Sequence, residues 1–351
     1  MISLALPPKH DAPQHGPRPL PLFLEMLRSE TAASPERRAR ALAGLAAYQR
    51  APRGAATPRP AALHRIGRAR LIDYGGKGRP VVFVPSLINP PFILDLAEDR
   101  SLLRWLATQG MRPLLVDWGT PIPDERDLDI TGHVEKLLLP LLDALDAPPV
   151  LAGYCLGGTM ALAAASVRPV AGLALLAAPY RFTGFGAARA DITALWEAAE
   201  PSCRALGLVP MEVLQSGFWR LDPARTIAKY EAFGALDPDS PAARSFVALE
   251  DWANAGAPLT YAAGAQLFDF VTNDAPGRGV WTVADRTIDP AALACPAVDF
   301  VSTTDRIVPA ASASRLADTR RLSAGHVGMI VGGRARAQLW EPLAEWLAAL
   351  G

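Results

Sequence analysis

The chain has 351 residues, half of them hydrophobic and a fifth charged, with 35 basic residues matched by 35 acidic ones. That length can bury a substantial core as one elaborated domain or two, and zero formal charge with scattered Lys and Arg gives no pull toward nucleic acid or an anionic membrane. Nothing approaches the ~18 apolar residues of a membrane span, residues 1–9 lack the basic and apolar regions of a signal peptide, and Cys155, Cys203 and Cys295 fall in no disulfide or zinc spacing, so a cytoplasmic setting is expected.

Residues 1–18, rich in Pro and His, read as a mobile leader. Two helices follow; the second has Ser34 as its cap, Pro35 at its first position, Glu36 in the first turn and an Ala/Leu face running through Tyr48. Three prolines and a glycine across 51–61 mark a linker, which makes 1–63 an N-terminal leader with helices and starts the catalytic unit near His64.

Beyond it, strand and helix alternate. β-rich runs occur at 69–74, 81–84, 114–117, 150–152, 173–176 and 298–301, and helical patterns at 101–109, 131–145, 156–167 and 334–350. Continuous apolar strands joined by helices predict a mostly parallel sheet covered on both faces. The fold class is therefore α/β, doubly wound, with its core in two pieces, 64–179 and 291–351. Residues 180–290 break the rhythm and hold 14 of the 25 aromatic residues, as an inserted cap would; most of these side chains are expected to form the cap's own core.

The chemistry centres on Gly153, Tyr154, Cys155, Leu156, Gly157 and Gly158, placed between the run at 150–152 and an Ala-rich helix. This is the setting of a nucleophile elbow with Cys where Ser is usual. A sharp strand-to-helix turn strains the nucleophile's backbone, and flanking glycines let neighbouring backbone come close. The helix N-terminus lowers a thiol's pKa and offers N–H groups to an oxyanion. Cys203 and Cys295 lack this setting and read as structural.

A thiol nucleophile needs a base. Of five histidines, His10 and His15 lie in the leader, His64 at the linker exit and His133 on the expected solvent face of a helix. His326 follows an apparent last strand at 320–322 and precedes the C-terminal helix, which fits the order nucleophile, acid, histidine. The acid is expected after the penultimate strand: Asp305 lies on the following loop, 21 residues before His326, whereas its rival Asp299 falls inside the strand. Asp305 would orient His326 and stabilise its cation, or would cap the turn near Pro309. The oxyanion is assigned to the N–H of Leu156 and a second N–H from the loop after 81–84, at Leu87 or Ile88.

The blocks VVFVPSLINPPFILDL, SLLRWLATQGMRPLLVDW, GYCLGGTMALA, STTDRIVPAASA and SAGHVGM, in that order, make the chain resemble the catalytic domain of polyhydroxyalkanoate synthases over roughly residues 65–350. The resemblance implies an α/β-hydrolase fold with an inserted cap at 180–290. It implies polymerisation of 3-hydroxyacyl groups from coenzyme A thioesters by a triad of Cys155, His326 and Asp305, with no metal and no cofactor beyond the thioester substrate. The chain lacks the long N-terminal domain of the larger synthases and is similar in size to the short form that works with a second subunit. A second synthase subunit or a homodimer is the implied partner, and the polyester granule surface a possible location. The cap at 245–258 matches loosely. Among Trp196, Trp219, Trp252, Trp281, Phe218, Phe268 and Phe270, some would line an acyl channel. The string at 153–158 is also similar to the nucleophile box of dienelactone hydrolases, smaller enzymes without a large cap, which keeps a thioesterase or esterase reading open. An idle granule-binding scaffold is the third reading, disfavoured by the intact triad.

Overall fold

The computed structural model describes residues 16–53 and 58–351; most of the expected leader, and residues 54–57 of the expected linker, lie outside them. Residues 58–217 and 255–351 form one packed unit around an eight-stranded sheet. Its strands are β1 (Ala62–Ile66), β2 (Ala69–Asp73), β3 (Pro80–Val84), β4 (Arg112–Asp117), β5 (Val150–Tyr154), β6 (Gly172–Leu176), β7 (Ala297–Ser302) and β8 (Asp318–Leu322). Their spatial order is β1-β2-β4-β3-β5-β6-β7-β8. β1–β2 and β2–β4 are antiparallel, and the other five pairings are parallel.

Every residue of β3, β5 and β6 is buried, which is why these strands read as unbroken apolar runs and not as alternating ones. The parallel registers Val84↔Gly153, Tyr154↔Leu176 and Ser302↔Leu322 bring the carboxyl ends of β3, β5, β6, β7 and β8 to one edge. Side chains on the loops leaving those ends converge there. β1, absent from the expected elements, is an edge strand: short, mostly exposed and bulged at Ala62/His64, it carries little apolar signal.

Helix Leu156–Val167 is buried at every position but Ser166, as its Ala-rich sequence requires for close packing. The expected helix at 131–145 is three pieces, Ile130–His133, a π turn at Val134–Leu138, and Leu139–Asp143. The C-terminal helix likewise passes through a π turn at Arg336–Trp340 into Glu341–Ala348. Both wide turns sit just before a proline, Pro140 or Pro342, whose missing N–H breaks the regular ladder. Among the described residues no helix is long and apolar enough to cross a membrane.

Residues 16–53 and 218–254 pack as a separate unit. Its helices are Leu20–Glu30, Pro35–Arg50, Pro223–Phe233 and Pro241–Ala253. Ser34 caps the second by accepting from the Arg37 N–H at 3.3 Å. Phe23, Leu27, Leu45, Tyr48, Trp219 and Tyr230 belong to one apolar cluster, with Phe23 edge-on to both Trp219 and Tyr230. The backbones approach so closely at Gly44 that a Cβ there would stand 1.8 Å from the Tyr230 carbonyl oxygen.

This division differs from the one expected. Residues 218–254, read as the middle of the cap, share a core with the N-terminal helices, while 180–217 and 255–290 pack with the sheet unit. The reason is apolar complementarity between segments nearly 200 residues apart, which local sequence does not display. Within the sheet unit, Trp196 stacks on Phe268 at 4.6 Å and Phe270 meets Trp281 at 5.2 Å, so these aromatics do build a local core.

Candidate active site

Cys155 occupies the turn between β5 and helix Leu156–Val167, with φ 56° and ψ −134°. A non-glycine residue at positive φ costs about 1–3 kcal/mol and persists only where its surroundings enforce it. Here its N–H donates to the Leu176 carbonyl on β6 at 3.0 Å. The glycines permit the packing that holds the turn. A Cβ on Gly153 would lie 2.4 Å from the Gly158 Cα, one on Gly157 2.1 Å from the Val84 carbonyl oxygen, and one on Gly158 2.3 Å from the Ala178 Cβ. Elbow, β3 loop and β6 exit therefore touch through glycine, and Cys155 is left 8% exposed.

Asp305 and His326 arrive from the neighbouring strand ends, three residues after β7 and four after β8. His326 Nδ1 lies 2.6 Å from Asp305 Oδ2. The other carboxylate oxygen accepts from the N–H groups of Ile307 at 2.7 Å and Val308 at 3.0 Å. The two roles considered for Asp305 thus coincide, since turn contacts clamp one oxygen and aim the other at the imidazole. Ser302 ties the loops together, its hydroxyl donating to the Ala324 carbonyl and accepting from the Thr304 N–H. Asp299 is not in the site: fully buried within β7, it accepts from the hydroxyl and N–H of Ser314.

With Nδ1 committed to Asp305, Nε2 is the ring nitrogen left for another partner. Burial alone would push the imidazole's pKa down. The neighbouring Cys155 and Asp305 groups, with the Asp305 hydrogen bond, overcome it and raise the pKa above its ordinary 6.5. Cys203, in helix Ala188–Leu206, and Cys295 have no such partner, and burial pushes both thiols up.

Leu156 is the first residue of its helix, so its N–H has no intrahelical acceptor. Of the two donors left open on the β3 loop, Ile88 already gives its N–H to Ser86 Oγ at 3.1 Å. The loop is also pinned by Trp118, whose indole N–H donates to the Pro85 carbonyl at 2.9 Å.

His10 and His15 lie outside the described residues, and His64 is on β1. His133, expected on a solvent-facing side of its helix, is instead 2% exposed. Arg68 donates to its Nε2 at 2.6 Å, and its Nδ1 faces the Asp129 carbonyl at 2.7 Å. Burial, with the Arg68 charge, pushes it down to about 4, so it stays neutral. Arg68 is 65 residues away in sequence, and periodicity gave no sign of it. Sequence reasoning also passed over Tyr154, whose ring stacks on His326 with centroids 5.0 Å apart and planes 25° apart. A tyrosine beside a buried nucleophile is itself a signal, because a buried phenol must find a partner. Among the described residues no three His, Cys, Asp or Glu side chains gather as metal ligands do.

A family model described as the alpha/beta hydrolase family matches residues 81–338. The poly(3-hydroxyalkanoate) polymerase subunit PhaC of Haloferax mediterranei is 26% identical over 314 residues, covering 82% of this chain and 63% of that protein. The PhaC subunit of Synechocystis is 28% identical over 292 residues, 77% of each chain. The chain thus spans about three fifths of the length of the haloarchaeal relative. Among solved structures, the monoacylglycerol lipase of Paleococcus ferrophilus superposes with a TM-score of 0.51 at 15% identity, over 81% of this chain and 99% of that one, a likeness of fold. The match from β3 through the elbow to the loops after β7 and β8 covers well over half of the chain, and the polymerase subunits named above are what it is similar to in sequence: the chain belongs to the alpha/beta hydrolase family.

Proposed function

We propose that the protein is an acyltransferase of the polyhydroxyalkanoate synthase type, which polymerises 3-hydroxyacyl groups from coenzyme A thioesters. The observation that carries this reading is a cysteine at the elbow beside the Asp305–His326 pair. Thiolate is the nucleophile suited to exchange with a thioester, because attacking and leaving groups are both sulfur. The Cys155 sulfur attacks the thioester carbonyl, the N–H groups of Leu156 and Leu87 hold the oxyanion, and the C–S bond to coenzyme A breaks as His326 gives its proton to the leaving sulfur. The acyl group is then a thioester on Cys155. His326 next takes the proton from the 3-hydroxyl of another unit, whose oxygen attacks that thioester, forming an ester and returning the Cys155 thiolate. Asp305 holds the ring and offsets its charge throughout.

These steps use a thiol, an imidazole and a carboxylate. A second synthase subunit or a second copy of this chain as partner, and action in the cytoplasm at a polyester granule surface, belong to the same proposal, supported by the kinship with PhaC subunits. The experiment is incubation of purified protein with 3-hydroxybutyryl coenzyme A, with and without a candidate partner subunit, measuring free coenzyme A and separating polymer from free 3-hydroxy acid. Polymer supports the synthase reading. Release of free acid alone, under every condition, replaces it with a thioesterase using the same residues.

A further inference from the structure

Tyr154 ends β5 and immediately precedes Cys155; its side chain is 3% exposed. A buried tyrosine must find a partner for its hydroxyl. Here the hydroxyl donates to the backbone carbonyl of His326, 172 residues away, at 3.2 Å, while the ring lies face to face with that same residue's imidazole. One side chain therefore grips the same histidine twice, at the backbone and at the ring. Asp305 fixes the ring by its edge through Nδ1 and Ser302 holds the loop at Ala324, which leaves the tilt of the ring plane open. Tyr154 backs that plane and adds a second hold on the loop.

We propose that Tyr154 is a positioning residue for the base: its hydroxyl anchors the His326 backbone and its ring backs the imidazole face, where it favours the protonated ring. The proposal rests on the triad reading given above. The titratable groups facing His326 are Cys155, on the elbow, Asp305, on the loop after β7, and Tyr154 itself. Burial and the nearby charges of Cys155 and Asp305 keep the phenol far above its ordinary range, so it stays a donor at every working pH. The π face is electron-rich and attracts a cation stacked on it, most strongly in a desolvated site.

Two variants test the two grips. Tyr154→Met keeps apolar bulk and removes the π face. The pH midpoint at which Cys155 becomes reactive toward iodoacetamide should move up by about 0.5–1.5 pH units, the span expected for losing a buried cation–π contact. Loss of mere packing would lower the melting temperature and leave the midpoint in place. Tyr154→Phe keeps the ring and removes only the hydroxyl, so its midpoint should stay, while kcat for coenzyme A release from 3-hydroxybutyryl coenzyme A falls about three- to tenfold at unchanged KM, as loss of one buried hydrogen bond predicts. A Tyr154→Met midpoint within about 0.2 of wild type, set against a full cation–π loss, overturns the ring's role, and a wild-type kcat in Tyr154→Phe overturns the anchor. If Tyr154→Met does not melt cooperatively, Tyr154→Phe alone decides. His326→Ala runs in parallel. If it leaves the alkylation profile unchanged, the triad reading falls and the proposal with it; if it removes the low-pH reactivity and Tyr154→Met does not shift it, only the proposal falls.

Discussion

Cys155 combines a strained backbone with a buried sulfur, and each has a measurable consequence. Because burial pushes the Cys203 and Cys295 thiols up and only Cys155 sits at a helix N-terminus after a strained turn, iodoacetamide should modify Cys155 first at neutral pH. Peptide mapping by mass spectrometry reads the order, and activity lost in step with Cys203 or Cys295 would overturn the assignment. Cys155→Ala and His326→Ala should each abolish turnover, and the double variant should cost little more, since the two act as one unit. Asp305→Asn should lose activity by a smaller factor, because Asp305 orients the ring and takes no reacting proton; near wild-type turnover in His326→Ala would move the base elsewhere.

At the scale of elements, the elbow works because three glycines let two strand ends and a helix meet. Gly157→Ala would drive a methyl to 2.1 Å from the Val84 carbonyl oxygen and 2.5 Å from Pro85, both backbone, so the β3 loop must move. That loop carries Leu87. The expected outcome is a destabilisation of about 1–3 kcal/mol, as for overpacking in a closed core, together with a loss of turnover larger than the change in substrate binding. Thermal melting and steady-state kinetics on the same preparation check the pair. A Gly157→Ala protein with wild-type kcat would show that the loop plays no part in holding the oxyanion.

For the whole molecule, the clearest pH effect on stability comes from outside the site. Burial within β7 pushes Asp299 up to about 6, against the pull of its Ser314 hydrogen bonds. Between its ordinary value of 3.8 and about 6 the folded chain keeps a proton that the unfolded chain has released. Stability therefore falls as pH rises through that window and stays lower above it, by on the order of 2–3 kcal/mol for this one group. Asp299→Asn leaves an oxygen for Ser314 and removes the titration. Its melting temperature should change less between pH 4 and pH 7 than that of the wild type, and an identical profile in the two proteins would remove Asp299 as the cause.

Local chain physics made much of this legible from the sequence. Unbroken apolar runs fixed β3, β5 and β6, Ser34 with Pro35 fixed a helix start, and glycines around Cys155 on a strand-to-helix junction fixed the elbow, since each depends on residues within one turn or strand of one another. The order Cys155, Asp305, His326 followed from which loops leave the carboxyl ends of parallel strands. Tertiary structure alone decided the rest. Residues 218–254 join the N-terminal helices because Trp219, Tyr230 and Gly44 fit one another, not because of any boundary signal in the chain. His133 is buried because Arg68 reaches it, and Tyr154 serves His326 across 172 residues. The physical reason is the same in each case: a partner that distant in sequence leaves no periodicity, cap or turn signature, so only the folded chain, by bringing the two together, determines what the side chain does.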